Sequence, residues 1–296
     1  MALVATLIAN PSNPVLSPAL GEAAFAAVGG AGLYWLADGV ACDIALKDGV
    51  DRTVALEALQ AVIAGQPVDV AIQNAETRRK KILIADMDST MIGQECIDEL
   101  AAEVGLKDKV SEITARAMNG EIAFEPALRE RVALLKGLPV EEISQVIDSR
   151  ITLTPGGREL VATMRANGGH TALVSGGFTA FTSVVAAMIG FDEDHANILE
   201  SADGRLSGTV REPILGKQAK IEALEAISAR LGLAPSDAIA VGDGANDLGM
   251  LELAGSGVAL HAKPSVAAQA DIRIDHGDLT ALLYLQGYRK TDFVTP

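Results

Sequence analysis

Three short polar segments follow apolar runs that have the length and composition of buried strands. They are Asp86-Met-Asp88-Ser-Thr90, Ser175-Gly176-Gly177 and Asp243-Gly-Ala-Asn246-Asp247. Two carboxylates two residues apart can supply a nucleophile and a proton donor to one reaction, and acidic and amide oxygens on a glycine turn are hard ligands of the kind Mg²⁺ prefers. A serine hydroxyl with glycine amides forms a cradle for phosphate oxygens. These residue types together indicate metal-assisted phosphoryl chemistry.

Each segment also has a structural explanation when it is considered alone. Asp and Ser at a strand-to-helix turn are common helix caps, and Ser-Gly-Gly is an ordinary turn. For residues 243–247 the competing interpretation is a calcium loop, but the alternating Asp and Asn and the final Glu of an EF-hand are absent. A cation for the transferred phosphate is expected between the second and third segments. Lys217 and Lys220 both qualify, although most single lysines at a helix start are simply exposed.

These polar segments need a scaffold that brings strand ends together. From Lys81 onward, segments of helical spacing separate the apolar runs KILIAD, TALVSGG, AIAVGD, GVAL and DIRID. This alternation predicts an α/β fold with a doubly wound parallel sheet, in which ligands lie beyond the carboxyl ends of the strands. An insertion at about residues 93–152 is helical in pattern and too long for a simple crossover, so we expect a helical cap. The turn signal Asp203-Gly204 predicts a β-hairpin.

The N-terminal part of the chain has a different pattern. Its order of predicted elements is β-α-β-β-α-β, which suits a small ferredoxin-like (ACT-like) α+β domain at residues 1–77, followed by a second domain at 78–296. The polar run 74–81 is interpreted as a linker whose basic tract is solvated surface. The N-terminal domain is either an amino-acid sensor or a structural, dimerising appendage, so a homodimer stays open.

Composition limits the partners and the compartment. Among 296 residues, 49% are hydrophobic but only 3% aromatic, which predicts an interior of aliphatic side chains. The net charge of −15 argues against general binding to nucleic acid or to an anionic membrane. The first residues lack the features of a signal peptide, and the apolar stretch 19–37 is interrupted by Glu22 and two glycines, so we expect no membrane span. Cys42 and Cys96 have no paired spacing, which favours the reducing cytoplasm.

The order of the motifs resembles the haloacid dehalogenase (HAD) superfamily. DxDST, SGG, a helix-borne lysine and GDGxND occur in the family order and extend the resemblance over about residues 80–296. The resemblance implies a hydrolase with a HAD core, in which Asp86 is the nucleophile that forms an aspartyl-phosphate and Asp88 is the general acid and base. It further implies that Lys220 and Ser175 hold the phosphoryl group, because the context of Lys220 matches the family better than that of Lys217.

The resemblance also implies the cofactor and its ligands. Mg²⁺ would be held by Asp86, by the main-chain carbonyl of Asp88, and by Asp243, with Asp247 and Asn246 supporting the site. Gly176 and Asn246 are further expected to meet the substrate.

The predicted cap resembles the branch of the superfamily that hydrolyses O-phosphoserine during serine biosynthesis. The segments that carry this resemblance are 93–99 and 124–139. It implies that Glu95 meets the ammonium group of the substrate, that Arg131 meets its carboxylate and that Phe124 forms an apolar wall. Without the resemblance, Arg129-Glu130-Arg131 would be interpreted as a charged helix face. The segment 261–264, His-Ala-Lys-Pro, also follows the family pattern.

Other functions stay open at this point. They are a phosphotransferase that passes the phosphoryl group to another hydroxyl acceptor, a phosphatase for another small phosphomonoester, and a receiver-like phosphate sensor. Asp88 argues against the sensor, because a stable phosphoaspartate does not need a general acid two residues further on. A dinucleotide-binding domain is unsupported because no G-x-G-x-x-G follows the first predicted strand of the second domain.

Overall fold

The computed structural model describes residues 2–295, and contacts divide the chain into two compact units. Unit 1 comprises Met1–Lys81, Pro155–Gly169 and Ile272–Pro296, and unit 2 comprises Ile82–Thr154 and His170–Asp271. This division places two later segments in unit 1, whereas the boundaries 1–77 and 78–296 assign them to the second domain. Those boundaries stay a prediction.

The secondary structure alternates between strands and helices along most of the chain. The strands are β1 Leu3–Ala9, β2 Gly32–Ala37, β3 Ala41–Ala45, β4 Val68–Asn74, β5 Ile82–Ala85, β6 His170–Phe178, β7 Glu193–Asn197, β8 Leu199–Ala202, β9 Arg205–Val210, β10 Ala238–Gly242, β11 Ser256–Leu260 and β12 Ile272–Ile274. The helices are α1 Pro18–Ala27, α2 Arg52–Ile63, α3 Cys96–Glu103, α4 Lys107–Met118, α5 Phe124–Leu134, α6 Glu141–Arg150, α7 Gly157–Ala166, α8 Thr179–Ile189, α9 Lys217–Leu231, α10 Leu248–Leu253, α11 Pro264–Ala267 and α12 Ala281–Leu285. Irregular or 3₁₀ turns occupy Met87–Met91, Pro235–Asp237 and Lys290–Asp292.

Unit 1 contains an antiparallel sheet with the strand order β2-β3-β1-β4. Leu7 of β1 lies in an apolar cluster with Ile44 of β3 and Leu59 of α2, so one sheet face is buried against the helices. The side chains of Ser17 and Asp51 cap the first turns of α1 and α2 by accepting backbone N–H bonds. The predicted order β-α-β-β-α-β is present in this unit.

The basic tract before β5 is not simply solvated, so that interpretation is wrong. Arg78 forms an ion pair of 2.7 Å with Asp43 of β3, and Thr6 of β1 donates a hydrogen bond of 2.7 Å to the same carboxylate. Arg79 lies 3.9 Å above the ring of Tyr288. The physical reason is that Asp43 is buried in the sheet and needs a cationic partner there.

Asp69 of β4 shows why the C-terminal segment belongs to unit 1. Its carboxylate accepts hydrogen bonds from the backbone N–H groups of Asp275 at 2.9 Å, His276 at 3.1 Å and Gly277 at 2.8 Å. Burial raises the pKa of this carboxyl, and the three amide bonds oppose that rise. The sheet of unit 1 is therefore tied to a segment that is distant in sequence.

Unit 2 contains a parallel sheet with the strand order β11-β10-β5-β6-β7. Strands β5, β10 and β11 are buried along their whole length, as expected when helices cover both sheet faces. Ala85 of β5 lies opposite Val241 of β10 and Leu173 of β6. The polar segments that follow Ala85, Leu173 and Val241 therefore lie at one edge of the sheet, which confirms the predicted α/β core.

The insertion after β5 is helical, as predicted for residues 93–152. Helices α3 to α6 lie within it, and their inward faces are apolar, with Leu100, Val110, Val132 and Val146 buried. A bridge between Ile92 and Leu153 pairs the two ends of the insertion.

Two other features of unit 2 bear on the predictions. β8 and β9 pair antiparallel around Asp203 and Gly204, whose φ angles of 52° and 74° suit a tight two-residue hairpin, so the predicted hairpin is confirmed. Strand β7 was not predicted, because its sequence EDHAN is polar and its burial pattern is mostly exposed or intermediate.

The apolar stretch 19–37 folds as most of α1 followed by β2. Over residues 2–295, none of the helices has both the length and the apolar character needed to cross a bilayer.

Candidate active site

Three buried aspartates meet at the sheet edge of unit 2. Asp86 directly follows β5, Asp243 directly follows β10, and Asp247 closes the turn after Asp243. Each offers one carboxylate oxygen that lies within 4.8 Å of the others. The polar segments after the first and third predicted strands are thus brought together.

Lys220 lies at the centre of this acidic cluster. Its Nζ lies 2.6 Å from Asp86 Oδ1 and 2.6 Å from Asp247 Oδ1, and the side chain is only 2% exposed. Burial opposes the charged form, but the carboxylates of Asp247 and Asp86 outweigh it and raise the pKa of Lys220 above its usual value. Lys217, one turn earlier in α9, is exposed, so the structure places Lys220 and not Lys217 at the cluster.

Asp86 and Asp88 have different surroundings although they are two residues apart. Asp86 Oδ1 accepts hydrogen bonds from the Met87 amide at 2.8 Å and from Lys220, whereas Asp88 Oδ1 accepts one from the Cys96 amide at 2.9 Å. Burial and the charge of Asp247 raise the pKa of Asp86 to about 7, against the effect of Lys220. Burial raises the pKa of Asp88 to about 6, against hydrogen bonds from Cys96. A carboxyl with a pKa near neutrality can both give and take a proton.

The turn after β10 is held rigid by Asp247. Its Oδ2 accepts the amide N–H of Asp243 at 3.2 Å and that of Gly244 at 3.0 Å. Thr90 donates to Asp243 Oδ1 at 3.3 Å, a contact to which sequence reasoning assigned no role. Burial, and then the charges of Glu95 and Asp247, raise the pKa of Asp243 well above its usual value.

The donor set suits a divalent cation. Asp243 Oδ2 and Asn246 Oδ1 are buried, and neither has a hydrogen-bond partner among residues 2–295, although Lys263 Nζ lies 3.7 Å from Asp243 Oδ2, beyond hydrogen-bond distance. Carboxylate and amide oxygens are hard ligands, and an unsatisfied buried oxygen is costly unless a cation or water meets it. Both oxygens of Asp247 already bind protein donors, so Asp86 and Asp243 offer the more available oxygens.

A cavity that is open to solvent lies against Asp86 and Asn246 and contains about 410 Å³ of empty space, part of which is open solvent. The predicted residues that line it are Asp86, Asp88, Glu95, Phe124, Arg131, Ser175, Gly176 and Asn246. Gly177 of the second polar segment also lines it, and the residues that sequence reasoning missed are Ile97, Met118, Leu128 and Phe178, which carry no reactive group. Lys220, Asp243 and Asp247 do not line it, and they contact the site through Asp86 and the turn after β10.

The glycines of the second segment allow close approach on two sides. A Cβ atom on Gly176 would lie 2.7 Å from the ring of Phe124, and a Cβ atom on Gly177 would lie 2.7 Å from Asp88 Oδ2. The Gly177 amide donates to Ser175 Oγ at 2.9 Å. The absence of side chains at both positions is therefore what lets Phe124 and Asp88 enter the cavity.

Arg131 is a buried cation whose hydrogen bonds go to neutral acceptors. It is 4% exposed; its Nε donates to the Ala127 carbonyl at 3.1 Å and its Nη1 to Thr114 Oγ1 at 2.9 Å. Over residues 2–295 no carboxylate lies within ion-pair distance of it, and burial lowers its pKa. Arg129, in contrast, is exposed and pairs with Glu212 at 2.8 Å, and Glu130 is exposed as well, so the charged-face interpretation holds for these two residues and is wrong for Arg131.

Glu95 is an acidic residue of the cavity and is complementary in charge to Arg131. Its carboxylate accepts a hydrogen bond of 2.6 Å from Ser89, whose φ of 56° is unusual for a residue with a side chain and turns Ser89 toward Glu95. Burial and the charge of Asp88 raise the pKa of Glu95 to about 8, against the Ser89 hydrogen bond. Among the described residues no cation pairs with it.

Sequence reasoning also missed the polar residues behind Arg131. Asp98 and Thr114 are buried on otherwise apolar faces of α3 and α4. A polar residue within an apolar helix face was the available signal, because such a group must find a partner inside the protein.

Comparisons with known proteins agree with this geometry. A model of the haloacid dehalogenase-like hydrolases matches residues 83–252. Phosphoserine phosphatase of Archaeoglobus fulgidus is 44% identical over 217 residues, which cover 73% of this chain and 63% of that protein. The structure of a phospho-aspartyl intermediate analogue of phosphoserine phosphatase has a TM-score of 0.67 at 42% identity and covers 70% of this chain and 98% of its own.

A longer match is the unliganded structure of a probable phosphoserine phosphatase from Vibrio cholerae, with a TM-score of 0.76 at 32% identity, covering 98% of this chain and 88% of that one. The chain spans about three fifths of the length of the first curated relatives that it matches. The family model nevertheless covers more than half of the chain, through all of the polar segments that meet at the sheet edge. The chain therefore belongs to the family of haloacid dehalogenase-like hydrolases.

Proposed function

We propose that this chain is a Mg²⁺-dependent phosphatase that hydrolyses O-phosphoserine to serine and inorganic phosphate, the last step of serine biosynthesis. One observation carries the proposal: a single cavity is lined by Asp86 and Asp88 together with Glu95 and Arg131, and neither Glu95 nor Arg131 forms an ion pair within residues 2–295. The relatives named phosphoserine phosphatase, at 44% and 42% identity, support it.

The cavity suits a zwitterionic head group. Arg131 can bind the carboxylate of the substrate through the part of its guanidinium that faces the cavity, and Glu95 can bind the ammonium group. Phe124 forms the apolar wall between the cap residues and the glycines of β6. An ammonium partner favours the ionised form of Glu95, so substrate binding counteracts the raised pKa of that carboxyl.

The first chemical step transfers the phosphoryl group to the protein. An oxygen of Asp86 forms a bond to phosphorus while the bond from phosphorus to the seryl oxygen breaks, and Asp88 gives its proton to that oxygen. The hydroxyl of Ser175, the amide of Gly176 and the ammonium of Lys220 stabilise the charge on the phosphoryl oxygens.

The second step releases phosphate. Asp88, now ionised, takes a proton from water as the water oxygen bonds to phosphorus, and the bond to Asp86 breaks. Inorganic phosphate leaves, Asp86 is again a carboxylate, and Asp88 again carries its proton. The pKa of about 6 at Asp88 suits a group that must act in both directions near neutral pH.

The proposed ligands of Mg²⁺ are Asp86, the main-chain carbonyl of Asp88, and Asp243. Asp247 is proposed as a further ligand, and Asn246 as a residue that meets the substrate and supports the site. The ion supplies positive charge that offsets the repulsion between Asp86 and the substrate phosphate.

Several finer assignments belong to the same proposal. Helices α3 to α6 act as a cap, because they supply Phe124 and Arg131 to the cavity. The strand order β2-β3-β1-β4 supports a ferredoxin-like (ACT-like) domain at residues 1–77, before a hydrolase domain at 78–296. Two buried free thiols support a cytoplasmic location. A homodimer is the proposed assembly.

The test is phosphate release from O-phosphoserine with Mg²⁺ and with EDTA, for the wild type, Asp86→Asn and Arg131→Ala, with a simple alkyl phosphate as control substrate. We expect release to require Mg²⁺, to vanish in Asp86→Asn, and to be lost in Arg131→Ala for O-phosphoserine only. If the wild type hydrolyses only the alkyl phosphate, the substrate assignment is wrong. Release without an added hydroxyl acceptor would exclude a phosphotransferase as the main activity.

A further inference from the structure

A chain of hydrogen bonds runs from the cavity into the protein behind Arg131. Arg131 Nη1 donates to Thr114 Oγ1 at 2.9 Å, Thr114 Oγ1 donates to Asp98 Oδ1 at 2.7 Å, and Ser111 Oγ donates to Asp98 Oδ2 at 2.7 Å. Arg131, Thr114 and Asp98 are 4%, 3% and 8% exposed. The chain of contacts therefore lies in a region where each polar group depends on its protein partner.

The hydroxyl of Thr114 has one hydrogen, and its direction decides what the group does. Asp98 Oδ1 lies 2.7 Å away, and the carbonyl of Val110, one turn earlier in α4, lies 3.0 Å away. The shorter contact to a charged acceptor is the stronger one, so the hydrogen points at Asp98 and the lone pairs of Thr114 face Arg131.

The hydroxyl of Thr114 lies between the carboxylate of Asp98 and the guanidinium of Arg131, so the two charged groups are not in direct contact. A direct ion pair would hold the arginine but would also satisfy its charge, leaving less attraction for a substrate anion. The bond to Thr114 fixes Arg131 Nη1, and the bond to the Ala127 carbonyl fixes Nε. The plane of the guanidinium is thus set from two sides by neutral acceptors.

We propose that Thr114, oriented by Asp98, is a positioning residue that holds Arg131 in place for the carboxylate of the substrate. Thr114 thereby contributes to the preference for a substrate that carries an α-carboxylate over an amine that lacks one. The inference rests on the proposed function, because it assumes that Arg131 binds that carboxylate. It extends that function to residues that do not line the cavity.

The competing explanation is structural, because a buried threonine in a helix commonly satisfies its own hydroxyl on the preceding turn. The two explanations differ in which substrates they affect. A general packing defect lowers turnover of every substrate, whereas loss of arginine positioning affects only a substrate with a carboxylate. O-phosphoethanolamine, which keeps the ammonium group but lacks the carboxylate, is the matched control substrate.

The experiment compares Thr114→Val, which has no hydroxyl, with Thr114→Ser, which keeps it. We expect Thr114→Val to lower kcat/KM for O-phosphoserine by about tenfold or more, as for a hydrogen bond to a charged group, mainly by raising KM. We expect its kcat/KM for O-phosphoethanolamine to stay within about twofold of the wild type, and Thr114→Ser to retain most of the preference. Equal losses on both substrates, no loss at all, or a serine variant as impaired as the valine variant would overturn the inference.

A second comparison guards against poor folding of Thr114→Val. Ser111→Ala removes one bond to Asp98 at a less buried position, and we expect a smaller loss confined to O-phosphoserine; an equal loss on O-phosphoethanolamine counts against the inference. If the wild type shows no preference for O-phosphoserine over O-phosphoethanolamine, the proposed substrate is wrong. If the wild type shows that preference and Thr114→Val keeps it, the proposed substrate stands and the role of Thr114 is wrong.

Discussion

Lys220 Nζ lies 2.6 Å from Asp86 Oδ1, although the two residues come from α9 and from the end of β5. The lysine holds one oxygen of the proposed nucleophile and at the same time an oxygen of Asp247. It therefore links the first and third polar segments of the sequence through a single buried charge, and orients the Asp86 carboxylate before any substrate arrives.

Replacement of Lys220 by methionine should affect both folding and activity. Asp86 and Asp247 would remain buried without their cation, so we expect the free energy of unfolding to fall by about 3 kcal/mol and phosphate release to fall by at least about a hundredfold. The measurements are urea denaturation and phosphate release. Lys217→Met is the matched control, because Lys217 is exposed on the same helix; equal effects in both variants would contradict the role of Lys220.

The two glycines of β6 should give different kinetic defects. Gly177→Ala places a methyl group against Asp88, so we expect kcat to fall by about a hundredfold because the proton donor is displaced. Gly176→Ala places the methyl group against Phe124, so we expect mainly a higher KM. Steady-state kinetics on O-phosphoserine separate these outcomes, and a Gly177→Ala variant with an unchanged kcat would rule out a critical position for Asp88.

Stability without metal should depend on pH through Glu95. Its folded-state pKa is about 8, above the ordinary value of 4.5, so the folded form keeps its proton where the unfolded form has lost it. The stabilising contribution of this proton is complete below pH 4.5 and is lost as pH rises toward 8. Glu95→Gln lacks this loss. The free energy of unfolding of the variant, taken relative to that of the wild type, should therefore rise by at least about 1 kcal/mol between pH 5 and pH 8.5.

The pH effect is measured by urea denaturation in EDTA at both pH values. The control is Glu130→Gln, which neutralises an exposed glutamate in the same insertion and should show no such gain. A gain of the same size in both variants would mean that overall charge, and not burial of Glu95, produces the effect.

The stability of unit 1 should depend on Arg78 more than on Arg79. Arg78→Ala leaves Asp43 buried without a counter-charge, so we expect a loss of about 3 kcal/mol in the free energy of unfolding. Arg79→Ala removes an exposed contact with Tyr288 and should cost less than about 1 kcal/mol. The folded fraction of either variant should hydrolyse O-phosphoserine at the wild-type rate, and a large loss of kcat in Arg78→Ala would contradict this separation.

The proposed chemical residues were readable from the sequence because they follow the ends of apolar strands, and parallel strands bring those ends together. The choice between Lys217 and Lys220 needed the resemblance, because both lysines suit the start of α9, and only the fold shows which one is buried. The polar character of Asp98 and Thr114 on apolar helix faces signals that each has a partner inside the protein. The contact between them could not be predicted, because it depends on how α3, α4 and α5 pack. Strand β7 and the buried pair of Arg78 and Asp43 were missed for a related reason. Charged residues in a sequence are predicted to lie at the surface, and only the structure shows which of them are paired inside the protein.

The bridge between Ile92 and Leu153 has a consequence for how such an enzyme can diversify. The two ends of the helical insertion are paired with each other by an isolated bridge outside the strands of the sheet, so its length and sequence can change without shifting the register of β5 and β6. Glu95, Phe124 and Arg131 lie inside this segment, whereas Asp86, Asp88 and Lys220 lie outside it. Under the proposed function, change within the insertion therefore alters the substrate range while the residues of the reaction are kept, and swapping this segment between relatives is expected to yield phosphatases with other preferences.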